Sequence, residues 1–414
     1  MTALPRPRLG RLRSWAVVPT AASIGASALA ALTTLVVARG IGAAAFGQFT
    51  LVISIALIVT VVMLMSLHFV LYQELPRAEP SDRPRVMATA VLVVGLLIAV
   101  VMAAALVAAP ILTRLLGVDA RTLFVALAVA VSLTVNQLAD SLLRGLRRFT
   151  FVAMLKLAVA VLYLGVAGFA LLRLGIRDPS VYLGALIVTN VLFALMALAA
   201  VPPRWRLASP ALARSLLRHG LVVTVIAALS SVAFGVDIIL LNHWAPPADV
   251  GVFSVYNGLP KRLLGVVFTE GIGLVLLPTL ALMDKPALLR RITRLAPAVA
   301  AAAAILSLAA SALILPLLGD QYPYSIGLMA LAAAGIGTHT VYNLYFFALT
   351  MDGLRGARLM VRALAIGLPI VLLTQAALIA GFGLIGGLVA FPVTNLLLLA
   401  AVFVTARPVY RESA

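Results

Sequence analysis

Residues 229–282 read LSSVAFGVDIILLNHWAPPADVGVFSVYNGLPKRLLGVVFTEGIGLVLLPTLAL. Two apolar runs, each long enough to cross a bilayer, are joined by the tight turn His243-Trp244-Ala245-Pro246-Pro247. Embedded in them are Asp237, Lys261, Arg262 and Glu270. A charge near the bilayer centre costs at least ~2.5 kcal/mol, so it needs a partner or a water-filled cavity. Four of them in one helical hairpin mark it as the working part of a membrane transporter.

Outside the hairpin the composition is of the same kind. The chain has 414 residues, 64% of them hydrophobic and only 11% charged, and a mean hydropathy of +1.16. That is an integral membrane protein, not a globular one. Cysteine is absent, which excludes disulfides, thiolate metal sites and cysteine nucleophiles. The net charge of +18 does not signal nucleic acid, because the basic residues sit in short connections between apolar runs. Arg6, Arg8, Arg11 and Arg13 resemble a signal peptide's charged region, with Ala26-Ser27-Ala28 as a cleavage pattern. The apolar run from Trp15 to Ala38 is too long for a signal core and reads as a retained first helix.

At about 20 apolar residues per helix, twelve spans are expected, near 15–38, 46–72, 87–110, 122–143, 151–172, 180–201, 219–243, 250–280, 295–317, 324–349, 359–380 and 384–405. The runs are continuously apolar without alternation, so they are helices and not barrel strands. Twenty-three Lys and Arg side chains fall on one side of this topology. Arg39, Arg114, Arg121, Arg173 and Arg177 fall on the other, and Lys156, Lys261 and Arg262 lie inside spans. The positive side is cytoplasmic, with both termini there. The connection from Pro202 to Arg218 divides the spans six and six, giving an N-terminal lobe 1–208 and a C-terminal lobe 209–414.

The two halves repeat each other. Ala45-Phe46-Gly47-Gln48-Phe49-Thr50-Leu51 matches Asp249-Val250-Gly251-Val252-Phe253-Ser254-Val255. Leu115-Leu116-Gly117 matches Leu317-Leu318-Gly319, and Gly145-Leu146-Arg147 matches Gly353-Leu354-Arg355. Six spans per half give the halves the same orientation, so the expected fold is two parallel six-helix lobes around a central cavity.

At these positions the chain resembles a known family. Arg39-Gly40-Ile41-Gly42 with Phe46-Gly47-Gln48-Phe49 is similar to the motif after the first helix of polysaccharide flippases. Asp237-Ile238-Ile239-Leu240, Val250–Ser254, Pro278-Thr279-Leu280, Leu318–Tyr322 and the Leu143–Phe149 connector resemble the same group. This is the polysaccharide transporter, Wzx-like branch of the multidrug/oligosaccharidyl-lipid/polysaccharide (MOP) exporter superfamily. The resemblance implies a flippase in the cytoplasmic membrane of a bacterium. It would move a polyprenyl-pyrophosphate-linked oligosaccharide to the external leaflet by alternating access, coupled to a proton or sodium ion. Its implied partners are that lipid-linked substrate, membrane lipids and other polysaccharide-assembly enzymes. It also implies that helices 1, 2, 7 and 8 line the cavity and that cavity cations engage the pyrophosphate. With twelve spans, two C-terminal helices of the peptidoglycan-precursor branch are missing, which favours a capsule, O-antigen, teichuronic or similar glycan.

On the residues themselves, Lys261 and Arg262 lie about 15–17 Å from the external end of the eighth span, and Asp237 about 9 Å deep on the seventh. Pro260 removes a backbone hydrogen bond just ahead of them, and Gly258 and Gly265 flank the place. Lys261, Arg262, Arg39 and Asn257 are the candidate substrate-binding residues; an internal ion pair with Asp237 is the alternative for the two cations. Asp237 and Glu270 are the candidates for ion coupling, Glu270 alternatively only solvating the vestibule. Arg39 and Lys156 are also within snorkelling reach of an interface. Asp140 and Arg144 pair at i, i+4. His339 with Tyr342, Asn343 and Tyr345 either touches sugar or makes interhelical hydrogen bonds.

No Gly-x-x-x-x-Gly-Lys-Ser/Thr, His-Glu-x-x-His or Gly-x-Ser-x-Gly pattern is present, so the expectation is no enzyme, no cofactor, no metal and no catalytic residue. A drug/cation antiporter of the same superfamily is the nearest rival, disfavoured by the internal cations. A major-facilitator transporter would carry glycine in the connection Glu74–Val86, which has none. A glycan polymerase or ligase would need a large external loop, and a structural scaffold would not need buried charges.

Overall fold

A computed structural model describes residues 9–261 and 283–411. These fold into α1 (Leu9–Ile41), α2 (Ala43–Leu64), α3 (Leu67–Arg77), α4 (Arg83–Val107), α5 (Ala109–Leu116), α6 (Ala120–Gly145), α7 (Phe149–Leu172), α8 (Pro179–Ala200) and α9 (Pro210–Trp244). Then come α10 (Pro247–Phe253), α11 (Lys285–Leu318), α12 (Ile326–Thr350) and α13 (Gly353–Arg411). The protein is an all-α, multi-pass membrane protein.

Nine helices among the described residues are long and apolar enough to cross a membrane. α13 counts once among them but is broken at Gly383 (φ 53°, ψ −127°), so it supplies two of the expected spans. α12 is not among the nine, because Thr338, His339, Thr340, Tyr342 and Asn343 dilute its middle. The expected eighth span lies mostly outside the described residues.

Two boundaries differ from the sequence reading. The second span is not one helix. Met65 (φ 44°) and Ser66 (φ 50°) are both left-handed and separate α2 from α3. Non-glycine residues enter that region at about 1–2 kcal/mol each, so the local sequence gives no hint of the break. It is held from outside: a Cβ on Gly220 of α9 would come within 2.5 Å of the Met65 carbonyl oxygen. Secondly, α9 begins at Pro210 rather than near 219, so Arg214 and Arg218 are helical. Pro210 sits where its missing N–H costs nothing, and Ser209 caps the first turn by accepting from Leu212 N. Ser209 also accepts from Arg85 Nη2 (3.0 Å), and its own N–H donates to Thr89 Oγ1 (3.1 Å), which anchors the connection to α4. At the opposite end of the bundle, Asp119 and Asp178 cap α6 and α8 through Thr122 N and Ser180 N. Those hydrogen bonds hold both carboxyls below the ordinary range, so the caps are intact near neutral pH and fade as pH falls through the lowered values.

The helices pack as α1 on α7, α2 on α6 and α6 on α8, and as α11 on α12, α12 on α13 and α13 on α9. α2 joins these sets by packing on both α9 and α10. That joint is where the repeated sequences meet. A Cβ on Gly47 would stand 2.2 Å from Pro247 O, and one on Gly251 would stand 1.9 Å from Ala43 O. The contact is reciprocal, each glycine pressed on the residue preceding its counterpart by four. One turn further, Thr50 Oγ1 and Ser254 Oγ are 2.8 Å apart, themselves counterparts separated by 204 positions. Further bonds crowd the same end. Tyr322 OH donates to Ala38 O (3.0 Å), Asn242 Nδ2 donates to Gly117 O (3.1 Å), and the His243 ring meets Leu115 O (3.1 Å). These bonds tie the helices together at the short-loop end of the bundle.

Gly251→Ala and Gly47→Ala should each lower stability by about 1–3 kcal/mol through overpacking. Gly258→Ala, facing open space, should be close to neutral. Thermal unfolding of the three purified variants in one detergent checks this, and equal melting temperatures would show that the crossing tolerates a methyl group.

Candidate functional site

Below the crossing, α2, α9 and the continuation of α10 enclose a cavity of about 100 Å³. Thr34, Thr50, Ser54, Asp237, Ser254, Asn257 and Lys261 supply its polar lining, and Phe46, Phe234 and Phe253 much of the rest. The continuation of α10 is a π-helical turn, Ser254–Gly258, immediately before Pro260. A proline cannot donate to the preceding turn; widening that turn is how the helix absorbs the loss, and it turns Asn257 and Gly258 toward the cavity.

Asp237 is 5% exposed, and its Oδ1 accepts from Ile238 N at 2.8 Å. Asn257 is equally buried, and its Oδ1 has no hydrogen-bond partner among the described residues. Lys261 Nζ lies 5.5 Å from the Phe234 ring centre and 5.0 Å from that of Phe391. Such cation–π contacts contribute about 0.5–2 kcal/mol each. Behind them His339 packs on Phe234 (4.8 Å) and Phe391 (5.4 Å) and is fixed by Nδ1 to Asn395 Oδ1 (2.9 Å). Tyr345 OH meets Thr293 Oγ1 at 2.6 Å. His339 and Tyr345 thus make interhelical hydrogen bonds, the second of the two readings given above.

Of the candidates drawn from the sequence, Asp237, Asn257 and Lys261 come together on one cavity. Arg39 is exposed at the end of α1 and is not part of its lining. Arg262, Gly265 and Glu270 lie outside the described residues. Two contributors were missed. Phe234 stands one turn before Asp237 on the same helix face, so i, i+3 spacing carried the signal. Phe391 comes from α13, more than a hundred residues away, and no local pattern points to it.

A second charged cluster departs from expectation. Asp140, 8% exposed, pairs with Arg144 (Nε–Oδ2 3.1 Å) as its spacing indicates. Lys156 does not snorkel; its Nζ is 3.0 Å from Asp140 Oδ1, and Tyr72 OH donates to Oδ2 at 3.2 Å. Reaching an interface would leave that carboxylate with one cation instead of two. The same face of α6 continues upward through Asn136 and Ser132, both bonded to Asn190 of α8.

A family model described as polysaccharide biosynthesis protein matches residues 12–283. The chain belongs to that family. No curated protein matches it. Solved structures share its fold. An inward-facing multidrug resistance MATE family transporter of the MOP superfamily aligns at TM-score 0.68 and 15% identity, over 96% of this chain and 99% of that one. The lipid II flippase MurJ, in an inward closed conformation, aligns at TM-score 0.67 and 9% identity, over 94% and 87%. An outward-facing MATE transporter aligns at TM-score 0.58 and 15% identity, over 96% and 95%. This member of the polysaccharide biosynthesis family therefore has the MOP exporter fold.

Removing the shared carboxylate, Asp140→Ala, should cost about 1.5–3 kcal/mol, because Arg144 and Lys156 each lose a charge-assisted contact and Tyr72 a hydrogen bond. The double variant Asp140→Ala/Lys156→Met should recover part of that. Melting temperatures of both in detergent check it, and an unaffected single variant would mean the cluster is hydrated.

Proposed function

We infer that the protein is a flippase for polyprenyl-pyrophosphate-linked oligosaccharides, working by alternating access in a bacterial inner membrane with both termini cytoplasmic. Its products would feed cell-surface polysaccharide assembly. The observation that carries this reading is the cavity at the repeat crossing, where Lys261 and the unsatisfied carbonyl of Asn257 stand side by side. A pyrophosphate offers acceptors to the ammonium, and a sugar hydroxyl can donate to Asn257. Membership of the polysaccharide biosynthesis family supports the substrate class.

An arriving pyrophosphate would offer the Lys261 ammonium charge-assisted hydrogen bonds, each contributing about 1.5–3 kcal/mol. A cationic drug would meet the same ammonium as a repulsion, which disfavours the antiporter reading. At about 100 Å³ the cavity holds a few waters, each taking about 30 Å³. The substrate therefore needs an opened state. The hydrogen bonds that tie the short-loop end, and the higher similarity to the inward-facing than to the outward-facing transporter, support an inward-facing arrangement. Residues 1–208 and 209–414 would be the two lobes that rock about the glycine crossing. Asp237, beside Lys261, is the proposed coupling group: a proton or sodium ion on it would loosen its hold on the ammonium. Glu270 and Arg262 remain proposals for coupling and pyrophosphate binding on sequence grounds alone.

Transbilayer movement of a fluorescent polyprenyl-pyrophosphate oligosaccharide in proteoliposomes tests this. Lys261→Ala should slow flipping by at least about tenfold, the loss of one charged hydrogen bond, and Asp237→Asn should flatten its dependence on an imposed pH or sodium gradient. Wild-type rates in Lys261→Ala would remove Lys261 from the site. No movement by folded wild type, across several glycans and gradients, would overturn the flippase reading.

A further inference from the structure

At the arginine-rich end of the bundle, away from the central cavity, α11, α12 and the last turns of α13 leave a groove of about 440 Å³. Its rim carries Arg290 and Arg407, its floor Thr293 and Tyr345, and its walls Leu289 and Phe403. Both arginines are exposed, and neither has an ion-pair partner among the described residues. Among the described residues the nearby carboxylates are engaged elsewhere: Asp284 caps α11 through Ala287 N (3.0 Å), and Asp352 accepts from Tyr410 OH at 2.5 Å. Arg355 is also taken up, stacked on the Tyr410 ring at 5.1 Å and donating to Val409 O at 2.9 Å. The floor is polar but satisfied, since Thr293 and Tyr345 hydrogen-bond each other at 2.6 Å. Phe403 is 41% exposed and Val404, beside it, is 70% exposed, as a lipid-facing surface would be.

The arrangement is amphipathic in one direction: guanidinium groups at the water level and an apolar slot running from them along the helices. We propose that this groove binds an anionic phospholipid, its phosphate between Arg290 and Arg407 and an acyl chain against Leu289 and Phe403. Charge complementarity selects the occupant. A zwitterionic lipid places its own cation beside two guanidiniums, and a free phosphate leaves the apolar walls uncovered. Planar guanidiniums bind phosphate oxygens two at a time, and a basic side chain at a membrane surface contributes about 1 kcal/mol toward anionic lipid, about fivefold in affinity. The site is separate from the transport cavity and does not depend on what that cavity carries.

The test uses the full-length protein in detergent, titrated with phosphatidylglycerol, phosphatidylcholine or inorganic phosphate while its melting temperature is followed. Phosphatidylglycerol should raise the melting temperature well above the phosphatidylcholine response, with inorganic phosphate giving no rise. Arg290→Gln/Arg407→Gln should weaken the phosphatidylglycerol response about fivefold per arginine, while Arg358→Gln, exposed but outside the groove, should keep it. An unchanged response in the double variant, an equal loss in Arg358→Gln, or a rise with phosphate alone would each overturn the proposal. Should the double variant fail to fold, Phe403→Trp with both arginines intact decides. Brominated phosphatidylglycerol should quench its added emission more than brominated phosphatidylcholine does, and equal quenching would overturn the assignment.

Discussion

Two helix backbones touch where Gly47 meets Gly251, and the rest of the structure depends on that approach. Lipid tails are as apolar as leucine, so helices in a bilayer gain little from hiding apolar surface from one another. What brings α2 against α10 is close contact between backbones, which needs a residue without a side chain on each. The approach then places Thr50 and Ser254 within hydrogen-bonding distance. Because both pairs are counterparts in the internal repeat, the contact lies where a two-fold relation between the halves would put it.

The same crossing explains where the cavity is. Below the glycines a gap lies beside the π-helical turn Ser254–Gly258. Into that gap come a carboxylate, an unsatisfied amide oxygen and an ammonium resting on two aromatic rings. Asp237 and Asn257 are each 5% exposed, so their polar interactions are stronger than they would be at a surface. The Lys261 ammonium lies over the faces of Phe234 and Phe391.

Charges inside the bundle are thus accommodated in two ways. Around Asp140 they neutralise one another, with Arg144, Lys156 and Tyr72 gathered on one carboxylate and the polar face of α6 continuing to Asn190. Around Lys261 the chain supplies rings beside a carboxylate and leaves Asn257 Oδ1 unfilled. The first arrangement is complete and belongs to the architecture of the helices around α6. The second leaves one buried acceptor without a hydrogen bond among the described residues.

Apolar run lengths, the lopsided distribution of arginine and the repeat around Gly47 and Gly251 determined by themselves that this is a helical membrane protein of about twelve spans in two similar halves. These features are legible because hydrophobic length and charge placement act locally, through the bilayer. The resemblance at the same positions reached the superfamily for the same reason: its motifs are the structural glycines and their neighbours. Asp237 and Lys261 were legible as buried charges in a hairpin. Only the tertiary structure decided that the second span breaks at Met65–Ser66, that Lys156 turns inward to Asp140, and that Phe391 and His339 complete the surroundings of Lys261. In each case the partner is distant in sequence: Gly220 against Met65, α7 against α6, α13 against the helix of Lys261. Side-chain direction inside a membrane is set by which neighbour satisfies a polar group, and that neighbour is chosen by packing.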